Sequence, residues 1–186
     1  HNKNPRLQPW GAQTPSENET VSTVSKTMGE IMAHSLIKVF VHLVWITKER
    51  RRLLIPEVGN HVKDHISEYA QNNSIDITTL AIQPEHVHLL ASLSRSQRIE
   101  DVAKLLKGES SHWINHGSLL RHKFSWQRGY WAGSVCYQHV DRVKSYIANQ
   151  QEHHRQKSFR EEFMALLREE GYSEAEIQIL LNDGSR

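Results

Sequence analysis

Pro84-Glu85-His86-Val87-His88-Leu89-Leu90 is the stretch on which the reading of this chain turns. Its valine and leucine content favours an extended strand, in which successive side chains point to opposite faces. His86 and His88 then present two imidazoles to one side, while Val87 and Leu89 pack inward on the other. Such a strand is half core and half site, with two nitrogen donors aimed at one place from a rigid element.

On either side, strand and helix patterns alternate. Leu36 to Thr47 (LIKVFVHLVWIT) is dense in β-branched and aromatic residues and reads as a strand. Pro56 opens a helix in which Val58, Val62, Ile66 and Tyr69 share a face, and Asn72-Asn73-Ser74 ends it. Ile75 to Ile82 reads as a second strand, joined at Pro84 to the histidine-bearing strand as a hairpin. A second helix, from Gln97 to about Asn115, buries Val102, Ala103 and Leu106 and turns Lys104 and Lys107 outward. Phe124 to Cys136, with Gly129 and Gly133, reads as a fourth, bulged strand. The order β-α-β-β-α-β is that of a ferredoxin-like split unit, an α+β fold.

A further helix is expected from about His139 to Gln151, burying Val140, Val143 and Ile147, with Tyr146 and Gln150 on one line at the margin of the apolar stripe. A charged segment from Glu152 to Arg160 leads into an amphipathic helix with Phe163, Leu166 and Leu167, a stop at Gly171 and a last helix from Ser173 to Leu181. The chain is thus read as a leader or arm (1–33), a core (34–152) and a helical tail (153–186).

With 186 residues, 38% of them apolar, the chain has room for one domain with appendages. Its net charge is +2 with the thirteen histidines neutral, and its pI near 8.7 permits a polyanionic partner without requiring one. Cys136 is the single cysteine, which excludes an intrachain disulfide and fits a reducing compartment. No run reaches the roughly 18 apolar residues of a spanning helix, so no membrane partner is expected and the chain is read as cytoplasmic.

A His-x-His pair alone is weak evidence for a metal. With one amide or carboxylate oxygen added, it makes an open site for a divalent ion. Gln150 is the candidate third ligand, because its neighbour on the same helical line is Tyr146, a possible covalent nucleophile or a half-buried packing residue. A free phenol, with a pKa of about 10, attacks poorly at neutral pH unless its target is polarised, which a metal beside a phosphodiester does. Lys48, Arg50, Arg51 and Arg52 after the first strand, and Lys104 and Lys107 on the second helix, are candidate phosphate contacts. Trp126, Tyr130 and Trp131 could stack on bases or pack.

HVHLL, LKGESSHWIN, FSWQRGYWAGSV and VKSYIANQQEHHRQKSFREEFMALL follow the opening IKVFVHLVWITKERRRLL in this order. Together, over about Ala33 to Gly171, they resemble the single-tyrosine HUH transposases, most closely the REP-associated tyrosine transposase branch. The resemblance implies a ferredoxin-like (RRM-like) core with an added tyrosine-bearing helix and helical tail, acting on single-stranded DNA beside a hairpin. It implies His86 and His88 as the HUH pair, Tyr146 as the nucleophile, and Gln150 as the residue completing a Mg2+ or Mn2+ site. The implied reaction forms a 5′-phosphotyrosine link and releases a 3′-hydroxyl, without a nucleotide cofactor. His153, His154, Arg155 and Lys157 fall in the tail motif, which implies a part in reading bases beside the hairpin.

The chain departs from its relatives at Gly133-Ser134-Val135-Cys136-Tyr137, where they have Phe-Ser-Val-Ser-Pro and hence a serine to cap the tyrosine helix. Asp141 is expected to compensate through the helix dipole. Two other functions fit the same residues: a hairpin-binding protein that does not cut, and a metal-dependent phosphodiesterase that uses water and has no need of Tyr146. A homodimer and a monomer are both compatible with the pattern.

Overall fold

The computed structural model describes residues 37–117, 119–150, 152 and 158–182, all within the unit Ile37–Arg186. The leader (1–33) and tail residues His153, His154, Arg155 and Lys157 lie outside the described residues. Strands β1 (Val39–Ile46), β2 (Asp76–Ile82), β3 (His86–Leu93) and β4 (Trp131–Val135) form one antiparallel sheet in the order β2-β3-β1-β4. Helix α1 (Pro56–Asn72) connects β1 to β2, and α2 (Ile99–His116) connects β3 to β4. These connections, with the two central strands side by side, are those of the expected ferredoxin-like α+β core.

Alternation along the central pair divides the sheet into two faces. Leu43 lies opposite Leu89 and Trp45 opposite Val87. These side chains, with Val41 and Ala91, are sealed by Val62, Ile66 and Ala70 of α1 and by Val102, Ala103 and Leu106 of α2. Each large apolar side chain buried there contributes roughly 1.5–3 kcal/mol relative to exposure. Phe40, His42, Val44, His86, His88 and Leu90 therefore face the other side.

That second face is also covered. Helix α3 (Val140–Ala148) sets Val140 and Ile147 on Leu90. Helix α4 (Phe159–Glu169) brings Phe159 and Leu167 onto Val44 and Trp131, joined by Ile177 of α5 (Glu174–Asn182). The start of α4 is fixed by a capping box, in which Ser158 and Glu161 exchange side-chain to backbone hydrogen bonds. In contrast, α3 follows a 3-10 turn (Tyr137–His139), and its N-cap His139 makes no side-chain cap bond. Asp141 sits in its first turn, where its charge favours the helix dipole. The helix ends at Ala148, so Gln150 follows two residues beyond it rather than inside it.

The fourth strand is shorter than expected. Phe124 and Trp126 sink into the first core, and the backbone makes one isolated bridge, between Thr47 and Trp126. The carbonyls of Gln127, Arg128 and Gly129 accept from the Lys107 ammonium at 2.9, 3.0 and 2.6 Å, taking the place of a ladder partner. Gln127 N–H still reaches the Ile46 carbonyl at 2.8 Å, but the regular ladder with β1 begins only at Trp131. The sheet's register shift lies in β2, between Ile77 and Thr79, and not in β4.

Gly133 is required by packing. A Cβ at this position would collide with the Trp131 indole, which packs edge-on against the His42 ring at 5.4 Å. Gly133→Ala is expected to cost about 1–3 kcal/mol by forcing that indole aside, read as a lower denaturation midpoint. No helix among the described residues is long and apolar enough to cross a membrane.

Candidate functional site

Three elements converge on the second face of the sheet. The central strand β3 supplies His86 and His88, both completely or almost completely buried. The α3 segment supplies Tyr146, half-buried, and Gln150, fully buried. Glu162, 9% exposed, enters from α4. The His88 ring is 5.1 Å from the His86 ring and 5.8 Å from that of Tyr146. Phe159 stacks on His86 with ring centres 4.2 Å apart.

Glu162 is the hub of the hydrogen bonding. Its Oε1 accepts from the Tyr146 hydroxyl and from Gln150 Nε2, the latter at 2.6 Å, and lies 3.7 Å from His88 Nε2. On the far side of His88, Nδ1 is 3.0 Å from His42 Nε2. An ion between His88 Nε2 and Glu162 would require a lone pair on Nε2, which places the ring's proton on Nδ1 for donation to His42 and so sets the ring's orientation. His42 is suited to accept: burial holds its pKa down at about 4, against a smaller upward pull from Glu162. The phenol of Tyr146 is pushed above its ordinary range, first by burial and then by the charge and hydrogen bond of Glu162, with Gln150 opposing.

The sign of the His42 shift gives a pH dependence. A histidine whose pKa is depressed in the folded protein stabilises it fully above the unfolded value of about 6.5, and that contribution is lost as pH falls towards the folded value. The metal-free protein is thus expected to lose roughly 3 kcal/mol between pH 6.5 and pH 4 through this group. Denaturation midpoints in chelator should fall over this window, and less steeply in His42→Gln.

The donor set fits a divalent ion. Ligand atoms of His86, His88 and Glu162 lie within 4.8 Å of one another. Gln150 Oε1 is buried without a hydrogen-bond partner, a rare state for an amide oxygen and one that a cation would relieve. Beside these groups is a cleft of about 580 Å³ between the end of β4, α3 and α4, reaching Tyr146 and Glu162 and lined also by Cys136, His139 and Arg142.

Reasoning from sequence brought His86, His88, Tyr146 and Gln150 to one place, and their side chains do gather there. It missed His42 and Glu162. His42 carried a signal, being the lone polar side chain in the apolar run VFVHLVWI, with the same parity as Phe40 and Val44. Glu162, one acidic residue among several in a charged helix, carried none.

The basic candidates are dispersed. Lys48, Arg51 and Arg52 are exposed in the loop after β1, at the end of the sheet where Ile46 pairs with His86. Within this loop Glu49 and Arg50 adopt left-handed backbone angles, and Arg52 reaches Glu85 at 3.2 Å. Lys104 is exposed on α2, across the sheet from the His pair. Lys107 is occupied as the clamp of residues 127–129. Trp126 and Trp131 pack, Trp126 donating to Ser110 Oγ at 3.0 Å, while Tyr130 is 38% exposed.

A likeness to known proteins covers this same region. The ISDra2 transposase TnpA of Deinococcus radiodurans is 32% identical over 114 residues, 59% of this chain and 81% of that protein. A crystal structure described as a candidate transposase from Deinococcus radiodurans R1 superposes with a TM-score of 0.51 at 29% identity, over 62% of this chain and 93% of that one. A REP-associated tyrosine transposase bound to a REP hairpin shares the fold, with a TM-score of 0.51 at 17% identity over 65% and 72% of the two chains. The family model described as "Transposase IS200 like" matches residues 35–150, from just ahead of β1 through Gln150, and this chain is a member of that transposase family.

Proposed function

We propose that this transposase cleaves and rejoins single-stranded DNA beside a hairpin, using Tyr146 as nucleophile at a site where His86, His88 and Gln150 hold Mg2+ or Mn2+. The carrying observation is the convergence, within one chain, of the Tyr146 phenol and the His88 ring at 5.8 Å. Because one subunit provides both, the reading needs no domain from a second copy and favours a monomer acting in cis. A divalent ion held there supplies Lewis-acid polarisation of the scissile phosphate.

The protein's own groups supply the rest. His42 holds the His88 tautomer, so that Nε2 faces the site. The Tyr146 oxygen attacks in line as its proton passes to the Glu162 carboxylate that already accepts from it. A tyrosine O–P bond forms, the bond to the 3′-oxygen breaks with that oxygen taking up a proton as a hydroxyl, and the strand's 5′ end is left on the protein. One phosphoester replaces another, so the step is reversible without a nucleotide cofactor. Lys48, Arg50, Arg51 and Arg52, at the His86 end of the sheet, are assigned to the DNA backbone. The REP-associated branch, and base reading by His153, His154, Arg155 and Lys157, are proposed from the tail motif; the domain division at 34–152 and 153–186 is proposed with them.

The test is a hairpin oligonucleotide with single-stranded flanks, incubated with Mn2+ and resolved on a denaturing gel. A 3′-end label should move onto the protein while a 5′-end label leaves on a fragment ending in a hydroxyl. Scission without a protein adduct would mean hydrolysis by water. Binding without scission under any divalent ion would mean a recognition protein only.

A further inference from the structure

We infer that Glu162, from the tail helix α4, is itself a ligand of the divalent ion and completes a two-histidine, one-carboxylate set with His86 and His88. This rests on the reading above that the His pair holds that ion. Among the described residues, the ligand atoms of these three come within 4.8 Å of one another, and Glu162 Oε1 stands 3.7 Å from His88 Nε2. Metal-bound donors around one ion are about 3 Å apart, so closing the set takes side-chain adjustment and no movement of the sheet. Two imidazoles and a carboxylate, with positions left open, are a recurrent donor set for divalent first-row ions.

The position of the carboxylate is built rather than incidental. The Ser158–Glu161 capping box sets where α4 begins, Phe159 stacks on His86 at 4.2 Å, and Leu167 is fully buried about two turns further on. Glu162 therefore projects inward from a helix held at both ends. Its two oxygens offer about four lone-pair directions, so Oε1 can keep hydrogen bonds from Tyr146 and Gln150 while the carboxylate binds the ion.

The charge balance agrees. A dication on two neutral imidazoles and an amide leaves two positive charges in a buried site. Adding the carboxylate leaves one, which a single phosphodiester neutralises. Through Glu162 the ion links α4 to β3, so metal loading and tail docking become one equilibrium, while the same carboxylate orients the Tyr146 hydroxyl.

The experiment titrates Mn2+ into the metal-free full chain without DNA, following free Mn2+ by its electron paramagnetic resonance signal and recording melting temperatures with and without the ion. Glu162→Gln, which preserves size and a hydrogen-bonding oxygen, is expected to weaken Mn2+ binding about ten-fold or more and to remove most of the Mn2+-induced rise in melting temperature. Glu162→Asp should fall between it and the wild type. Circular dichroism in chelator establishes that each variant is folded. Unchanged affinity in Glu162→Gln, with binding lost in His88→Ala, would overturn the inference and leave the His-pair reading standing. Unchanged affinity in both would overturn the two together.

Discussion

Tyr146→Phe is expected to abolish the covalent DNA adduct and to lower strand cleavage by at least about a thousand-fold, since no other group can form that ester. The substitution removes one oxygen and leaves the ring, whose centre lies 6.3 Å from that of His42 and 5.8 Å from that of His88, in place. The hydroxyl's hydrogen bond to Glu162 is lost, but Gln150 still donates to the same oxygen at 2.6 Å. The stability cost should therefore stay within about 1–2 kcal/mol, and hairpin binding measured by filter retention should be unchanged. Cleavage that survives in Tyr146→Phe would refute the phosphotyrosine reading and favour water as the attacking group.

A second large effect is expected from His88→Ala. His88 links His42, at 3.0 Å, to Glu162, at 3.7 Å, and is only 1% exposed. Its removal deletes a proposed ligand and leaves a cavity beside two polar groups that lose a partner. Cleavage should drop to background at every Mn2+ concentration, because excess ion cannot restore a missing donor. Denaturation in chelator should show a stability loss of about 2–4 kcal/mol. His86→Ala should match it in cleavage and lose the stacking contact of Phe159, the tie between the site and the start of α4. A His88→Ala protein that still cuts at high Mn2+ would place the ion elsewhere.

The core was legible because its signals are local. Alternation in VFVHLVWI and HVHLL, a proline at the first turn of α1, and apolar residues at three- and four-residue steps in α2 each dictate an element from within it. Three features depend on partners distant in sequence and were read wrongly or missed. Residues 124–130 carry enough aromatic side chains to resemble a strand, yet the carbonyls of Gln127, Arg128 and Gly129 are taken by Lys107, some twenty residues away. Likewise His42 gains its place beside His88 only through the β1–β3 register, which sets His42 against Leu90 and Val44 against His88. Glu162 depends on the docking of α4, whose apolar pattern shows that it packs without showing on what.

The strand that carries the two imidazoles is hydrogen-bonded on both edges, to β1 and β2, and packed on both faces. Its backbone amides are expected to be among the slowest to exchange with solvent, whereas α3, whose N-cap His139 makes no side-chain cap bond, is expected to open more readily. The proposed ligand platform is therefore as durable as the fold, and any repositioning of the proposed nucleophile falls to the helix that bears it. Such a division suits a reaction in which a strand must be captured, held through the ester stage and given back.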